Sequence, residues 1–177
     1  MEQKMVVTGR ECPARRVPSG EPTTIPPGQF ITINQSLGGN YTVTWAGNML
    51  RIDGTDADAI GQEPEVLSFP EPEGDQIIED QVWQALKSVF DPEIPIDLVE
   101  LGLIYKVVIE QDSKAVNIAM TLTAPGCGMG PVLISDVKYR VAKVPNVEQV
   151  NVELVFDPPW SREMMSEEAQ LEAGLFF

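Results

Sequence analysis

The sequence predicts an α+β protein: two helices packed on a small mixed β-sheet, in the order helix–strand–strand–helix–strand, preceded by a small β-rich N-terminal module. Three observations carry that prediction. Short runs of β-branched and aromatic residues flank a Gly-Gly pair near residue 38. A proline-rich acidic stretch then interrupts the chain over 61–74. Beyond it, two apolar stripes with 4-4-3 spacing alternate with strand-like segments, the pattern of helices and strands sharing one core.

Residues 1–16 read as an N-terminal arm. Pro18, Pro22, Pro26 and Pro27 mark an extended connector into a module over 17–60. Phe30-Ile31-Thr32-Ile33-Asn34 and Tyr41-Thr42-Val43-Thr44-Trp45 suit strands. Between them Gly38-Gly39 supplies the positive φ of a tight hairpin turn. Ala46-Gly47-Asn48 turns the chain again into Met49-Leu50-Arg51-Ile52, a third short strand. From Asp53 to Asp75 there are eight acidic residues and no Lys or Arg, with Pro64, Pro70 and Pro72 among them. Such composition resists both helix and central strand, so 61–74 is expected to be a linker, a solvated spacer more than a regulatory acidic arm.

The main domain is expected over 75–157. Asp75 suits a helix cap ahead of the stripe Ile78, Val82, Leu86 and Val89, and Asp91-Pro92 stops that helix. Segments 103–110 and 115–123 read as a hairpin through Gln111-Asp112-Ser113-Lys114. Leu133, Val137, Val141 and Val144 mark a second helix over 131–143, ended by Pro145-Asn146, and 147–156 reads as the third strand. Residues 158–177 form a C-terminal arm in which Ser166, followed by Glu167 and Glu168, suits a helix start.

Composition excludes several chemistries. The 177 residues contain no histidine, which removes Ser-His-Asp and Cys-His catalysis within the chain and any imidazole metal ligand. The formal charge of −15 argues against nucleic-acid and anionic-membrane partners. Cys12 and Cys127 form no CxxC pair and no disulfide framework. Neither a signal peptide nor a membrane span is evident, and the expected compartment is the cytoplasm, where thiols stay reduced.

Chemistry is expected first at Thr123-Ala124-Pro125-Gly126-Cys127-Gly128-Met129-Gly130-Pro131, between a strand and a helix start. Flanking glycines leave the Cys127 sulfur open, and free N–H groups at a helix start lower a thiol pKa. Thr123 has a hydroxyl to offer the sulfur or its cargo. The alternative is a small cysteine packing a turn. Asp91-Pro92-Glu93-Ile94-Pro95 aims two carboxylates in directions fixed by prolines, either as oxygen ligands or as a solvent-facing helix stop. In the C-terminal arm, Trp160, Met164, Met165, Phe176 and Phe177 suit either docking on a partner or packing back on the chain's own sheet. Cys12 stands near Arg15 and Arg16, whose charge favours a thiolate, and is otherwise a bystander.

These residues carry a family likeness. Asp91-Pro92-Glu93-Ile94-Pro95-Ile96-Asp97-Leu98-Val99-Glu100-Leu101-Gly102-Leu103-Ile104-Tyr105, then Met120-Thr121-Leu122-Thr123 and Cys127, strongly resembles the metal–sulfur cluster biosynthesis domain over about residues 75–160. That domain is shared by eukaryotic cytosolic iron–sulfur targeting factors, the phenylacetate-degradation protein PaaD and SufT-type bacterial accessory factors. Gln35 to Val43, Arg51-Ile52-Asp53-Gly54, and Asp157-Pro158-Pro159-Trp160 with Met165-Ser166-Glu167-Glu168-Ala169 are similar to the SufT-type extensions. The resemblance implies an accessory role in iron–sulfur cluster maturation and no enzymatic turnover. It implies a reactive thiol and transient iron or cluster ligand at Cys127, supported by Asp91, Glu93, Ile94 and Thr123. The second threonine that often precedes the cysteine is here Ala124, and the usual Cys-Pro is Cys127-Gly128.

Since a cluster usually takes four thiolates, no tightly bound cofactor is expected, only a transient cluster or iron, shared across a homodimer. Expected partners are the assembly machinery and client iron–sulfur proteins. The alternatives are a PaaD-like scaffold of an oxygenase complex, or a thiol-dependent enzyme using Cys127 with Glu93 as base.

Overall fold

A computed structural model describes residues 3–37, 39–91, 96–123 and 130–174. The chain divides into two compact units: Met1–Leu67 with Pro131–Ser135, and Ser68–Gly130 with Asp136–Phe177.

The first unit is a six-stranded antiparallel sheet of β1 (Lys4–Val7), β2 (Cys12–Arg16), β3 (Pro22–Ile25), β4 (Phe30–Leu37), β5 (Asn40–Trp45) and β6 (Asn48–Ile52). Its strand order is β1-β4-β5-β6-β2-β3. β4, β5 and β6 are the three strands expected from sequence. At the β5–β6 turn Ala46 (φ 49) and Gly47 (φ 80) are both left-handed, the geometry that matches strand twist in two-residue hairpins. Cys12, Ala14, Ile25, Ile31, Ile33, Val43, Leu50 and Ile52 form the core, closed by Ala59 and Ile60 from a 3₁₀ segment, Gly54–Ile60. Asp53 caps that segment, accepting from Thr55 N at 3.0 Å. Arg10 pins it from outside through Asp56 (3.2 Å) and Asp58 (2.8 Å).

Two expectations are corrected here. Residues 1–16 are not an arm but supply β1 and β2, and the proline connector contains β3. Pro22 is tolerated because it opens an edge strand, where a missing N–H costs no ladder bond. The stretch 61–74 is free of helix and strand as expected, yet it is tied down and does not act as a loose spacer. In the first unit Glu65 N donates to Gly54 O at 2.9 Å. In the second, Gln81 and Gln84 donate to Pro70 O (2.7 Å) and Ser68 O (3.2 Å).

The second unit runs α1 (Glu79–Lys87), β7 (Ile104–Glu110), β8 (Ala115–Met120), α2 (Gly130–Val141, of which Pro131–Ser135 count with the first unit), β9 (Gln149–Leu154) and α3 (Glu167–Ala173). The first five are in the expected order. β7 pairs antiparallel with β8 and β8 parallel with β9, so the sheet is mixed. A parallel return needs a crossover, which α2 provides. Val116, Ile118 and Met120 of β8 are buried, as are Val82, Ala85 and Leu86 of α1 and Val137 and Val141 of α2.

Asp75 does not cap α1. The Gln111 side chain pairs with both the N–H and the C=O of Ile77 (2.8 and 2.9 Å), which holds the chain extended until Ile78. Ser88, rather than Asp91-Pro92, closes the helix, its Oγ donating to Ala85 O at 2.6 Å.

Candidate functional site

The acidic turn is closed at its base by backbone bonds. Leu98 N donates to Val89 O (2.9 Å), Asp91 N to Ile96 O (3.2 Å), and Phe90 bridges Asp97. Beyond it the chain coils tightly. Asp97 Oδ2 accepts from Val99 N and Glu100 N, both at 3.1 Å, while Leu101 N reaches Asp97 O at 3.0 Å. Burial pushes the Asp97 carboxyl pKa up, against the lowering effect of those amide donors. Leu98, Leu101 and Leu103 are fully buried beneath this coil and anchor it.

Leu103 is the junction. Its N–H donates to Leu98 O at 3.1 Å, and its C=O accepts from Thr121 N at 2.9 Å. One residue therefore joins the base of the Asp91 turn to the end of β8, from which the chain continues through Thr123 toward Cys127. The chain is back at Gly130, where a Cβ would lie 3.1 Å from Leu122 Cδ1. Among the expected site residues, Asp91 and half-buried Thr123 belong to this neighbourhood. Cys127, Glu93 and Ile94 lie outside the described residues.

Three further polar residues here were not among the expected site residues, although Thr121 lies within the quoted family motif. Thr121 is 1% exposed, and its Oγ1 has no hydrogen-bond partner among the described residues. Asp136 and Arg140, four apart on α2, are buried, and Arg140 Nη1 donates to Ser88 O at 2.9 Å. That bond ties α2 to the end of α1, three residues before Asp91. The i, i+4 spacing beside the stripe of Val137 and Val141 is the one signal in sequence that would place both on the inner helix face.

The C-terminal candidates are engaged within the chain. Trp160 Nε1 donates to Leu101 O at 2.7 Å, and Tyr105 OH donates to Pro158 O at 2.8 Å and lies 3.4 Å from Met164 Sδ. Ser166 N donates to Glu100 O at 2.9 Å. Met165 is buried, and Ser166 caps α3 by accepting from Ala169 N at 3.1 Å. Gly102 (φ 76) allows the approach of the Met164 backbone, since a Cβ there would overlap the Met164 carbonyl. The segment that starts at Asp157 therefore straps the coil beneath the acidic turn. Phe176 and Phe177 lie outside the described residues.

Cys12 is fully buried, and burial is the main reason its thiol is pushed up to about 12. Arg10 pulls the other way and loses; Arg15 and Arg16 do not produce the thiolate their proximity suggested. Among the described residues no group of three or more His, Cys, Asp or Glu side chains is placed to hold a metal ion, and no helix is long and apolar enough to cross a membrane.

The family described as iron–sulfur cluster assembly protein matches residues 79–154. An Fe–S protein maturation auxiliary factor from Porphyromonas gingivalis is 45% identical over 96 residues, 54% of this chain and 90% of that protein. The Fe–S protein maturation auxiliary factor SufT from Staphylococcus aureus is 44% identical over 87 residues, 49% of this chain and 98% of that protein. A crystal structure of a domain of unknown function from Bacillus anthracis superposes with a TM-score of 0.52 at 39% identity, covering 55% of this chain and 92% of that one. The six-stranded sheet lies outside the matched residues 79–154.

Proposed function

The chain belongs to the iron–sulfur cluster assembly protein family and is SufT-like, and from that premise we propose that it is an accessory factor in iron–sulfur protein maturation. It acts as an adaptor or transient carrier that hands clusters to client proteins through Cys127, with no turnover of its own. The observation that carries this reading is the Leu103 junction. It bonds the coil after Asp91 at Leu98 and the end of β8 at Thr121, which supports reading the Asp91 and Cys127 motifs as parts of one site.

The supply of ligands sets the mode of action. Clusters usually take four thiolates. This chain has two cysteines, and Cys12, with its thiol at about 12, stays protonated at neutral pH. Cys127 is then the single thiolate on offer, and the carboxylates of Asp91 and Glu93 are the oxygen donors for iron in this reading. A cluster held by one thiolate takes its remaining ligands from a donor, a client or free thiols. Such a hold is labile, which suits transfer better than storage.

Anaerobic transfer to an apo client enzyme tests this. The native chain should speed recovery of client activity, and Cys127→Ser should abolish the gain while melting at the same temperature. Undiminished transfer by Cys127→Ser would remove Cys127 from the mechanism. A stoichiometric, chelator-resistant cluster on the monomer would overturn the transient-carrier reading.

A further inference from the structure

The six-stranded sheet lies outside the family match, yet the first unit includes Pro131–Ser135, the stretch of α2 that opens just after the thiol segment. Two features of the β2–β3 hairpin meet that stretch. The first is Arg15 of β2, which is buried and donates from Nη1 to Ser135 Oγ at 3.0 Å. Ser135 Oγ in turn donates to Val132 O at 2.6 Å. The hydroxyl hydrogen is thereby committed inside the helix, and the oxygen lone pairs are left to accept from Arg15. Serine is neutral to unfavourable in a helix interior, so residue 135 serves the arginine more than the helix. The second feature is Gly20, in the turn closed by Gly20 N donating to Arg16 O at 2.7 Å and Arg16 N to Glu21 O at 2.8 Å. Gly20 has φ 77, and a Cβ there would lie 2.7 Å from Pro131 O and 3.1 Å from Ser135 Cβ. Only a glycine lets the hairpin come so close to the helix.

We propose that Arg15, acting through Ser135, is a positioning residue for the Cys127 thiol, and that the β2–β3 hairpin is the part of the N-terminal sheet that serves transfer. Gly130, the first residue of α2, follows Cys127 by three positions in sequence. A helix start offers free N–H groups to an anion, and its effect fades within the first turn. What it gives a thiolate therefore depends on where that turn is held. Arg15 and Gly20 hold it from the first unit, one by a buried hydrogen bond and the other by close approach. The inference rests on the reading of Cys127 as the transfer thiol and names the residues outside the matched domain that tune it.

The test is the pH dependence of Cys127 alkylation by iodoacetamide in the full chain without added iron. Mass spectrometry of the Cys127 peptide keeps Cys12 out of the signal. Ser135→Ala removes the acceptor of the Arg15 bond and leaves the Arg15 charge in place, so a shift in this variant is not a loss of charge. Its alkylation midpoint should rise by about 0.2–0.7 pH unit, the range a helix start contributes to an anion. Gly20→Ala sets a methyl against Pro131 O and should shift the midpoint the same way. Gly28→Ala has the same backbone hand with nothing within 4 Å of its methyl, and should leave the midpoint where it is. Ser135→Ala is the milder change and decides the matter even where Gly20→Ala does not fold. An unmoved midpoint in Ser135→Ala, or an equal rise in Gly28→Ala, would overturn the proposal. The two readings fail separately: undiminished transfer by Cys127→Ser removes the thiol from transfer, while the midpoint still decides whether Arg15 positions it.

Discussion

Gly102→Ala tests the strap most directly. Gly102 has φ 76, where an L side chain costs ~1–2 kcal/mol. A Cβ at Gly102 would also overlap the Met164 carbonyl oxygen and lie 2.8 Å from Met164 C and 3.0 Å from Met164 Cβ. These are mostly backbone atoms, so a side-chain rotation cannot relieve the clash; the strap must move. Three bonds hold it there: Trp160 to Leu101 O, Tyr105 to Pro158 O, and Ser166 N to Glu100 O. At ~0.5–1.5 kcal/mol each, losing them adds about 1.5–4.5 kcal/mol to the conformational cost. The total is roughly 2.5–6.5 kcal/mol when the strap is fully displaced. Gly28→Ala is the control, because Gly28 has φ 79 and an alanine methyl there would meet nothing within 4 Å; it should show the conformational cost alone. Urea titration followed by circular dichroism gives both losses, and Trp160 fluorescence should report the strap's release in Gly102→Ala. Equal losses in the two variants would refute the close packing of Met164 on Gly102.

Thr121→Val should raise stability by about 1 kcal/mol in the same titration, since it replaces a buried hydroxyl that has no partner among the described residues with an isosteric methyl; Thr121→Ser should give no such gain. Cys12 should resist alkylation in the folded protein at mildly alkaline pH and react once denaturant is added, as counted by mass spectrometry. Its raised pKa also makes stability fall as pH climbs from about 9 toward 12, because the unfolded thiol ionises first. Asp97 has the same sign at acid pH. With its folded pKa raised by burial, the folded state holds the proton more tightly, so the Asp97 contribution is favourable below the unfolded pKa and lost as pH rises through the folded one. Asp97→Asn keeps an acceptor for Val99 and Glu100 and should remove that part of the slope in an acid titration of stability.

The second unit was legible because its apolar residues repeat at helical spacing and its strands are short runs bounded by turn residues. Where sequence and structure part, a side chain has taken over a backbone task. Gln111 holds Ile77 extended and delays α1 past Asp75, and Ser88 ends the helix before Asp91-Pro92 is reached. Neither device has a periodic signature. The first unit was half legible for a different reason. β2 buries Arg15, and Arg15 stands directly across from Arg51 of β6, also buried. Both arginines alternate with core residues and so lie on the sheet's other face, while β2 gives the core only the small Cys12 and Ala14, a weak apolar signal to which Pro13 and Pro22 add disguise. A six-stranded sheet therefore read as an arm, a connector and three strands.

The candidate site's motifs stand out in the sequence and its supports do not, and the difference is physical. Asp91, Thr123 and Cys127 stand out because prolines and glycines surround them, and such residues mark places where the backbone leaves regular structure. Leu103 does not stand out, because its contribution is one amide and one carbonyl, which every leucine has. Arg140 looks like a surface charge on a helix until its bond to Ser88 is seen. The two cysteines, equal in composition, separate only in the fold: one lies in the core of a sheet with its thiol locked in the neutral form. A count of two possible thiolate ligands thus becomes a count of one. That argues for transfer over storage more strongly than the absence of histidine does, because a carrier with a single thiolate must share its cluster with another molecule in order to hold it.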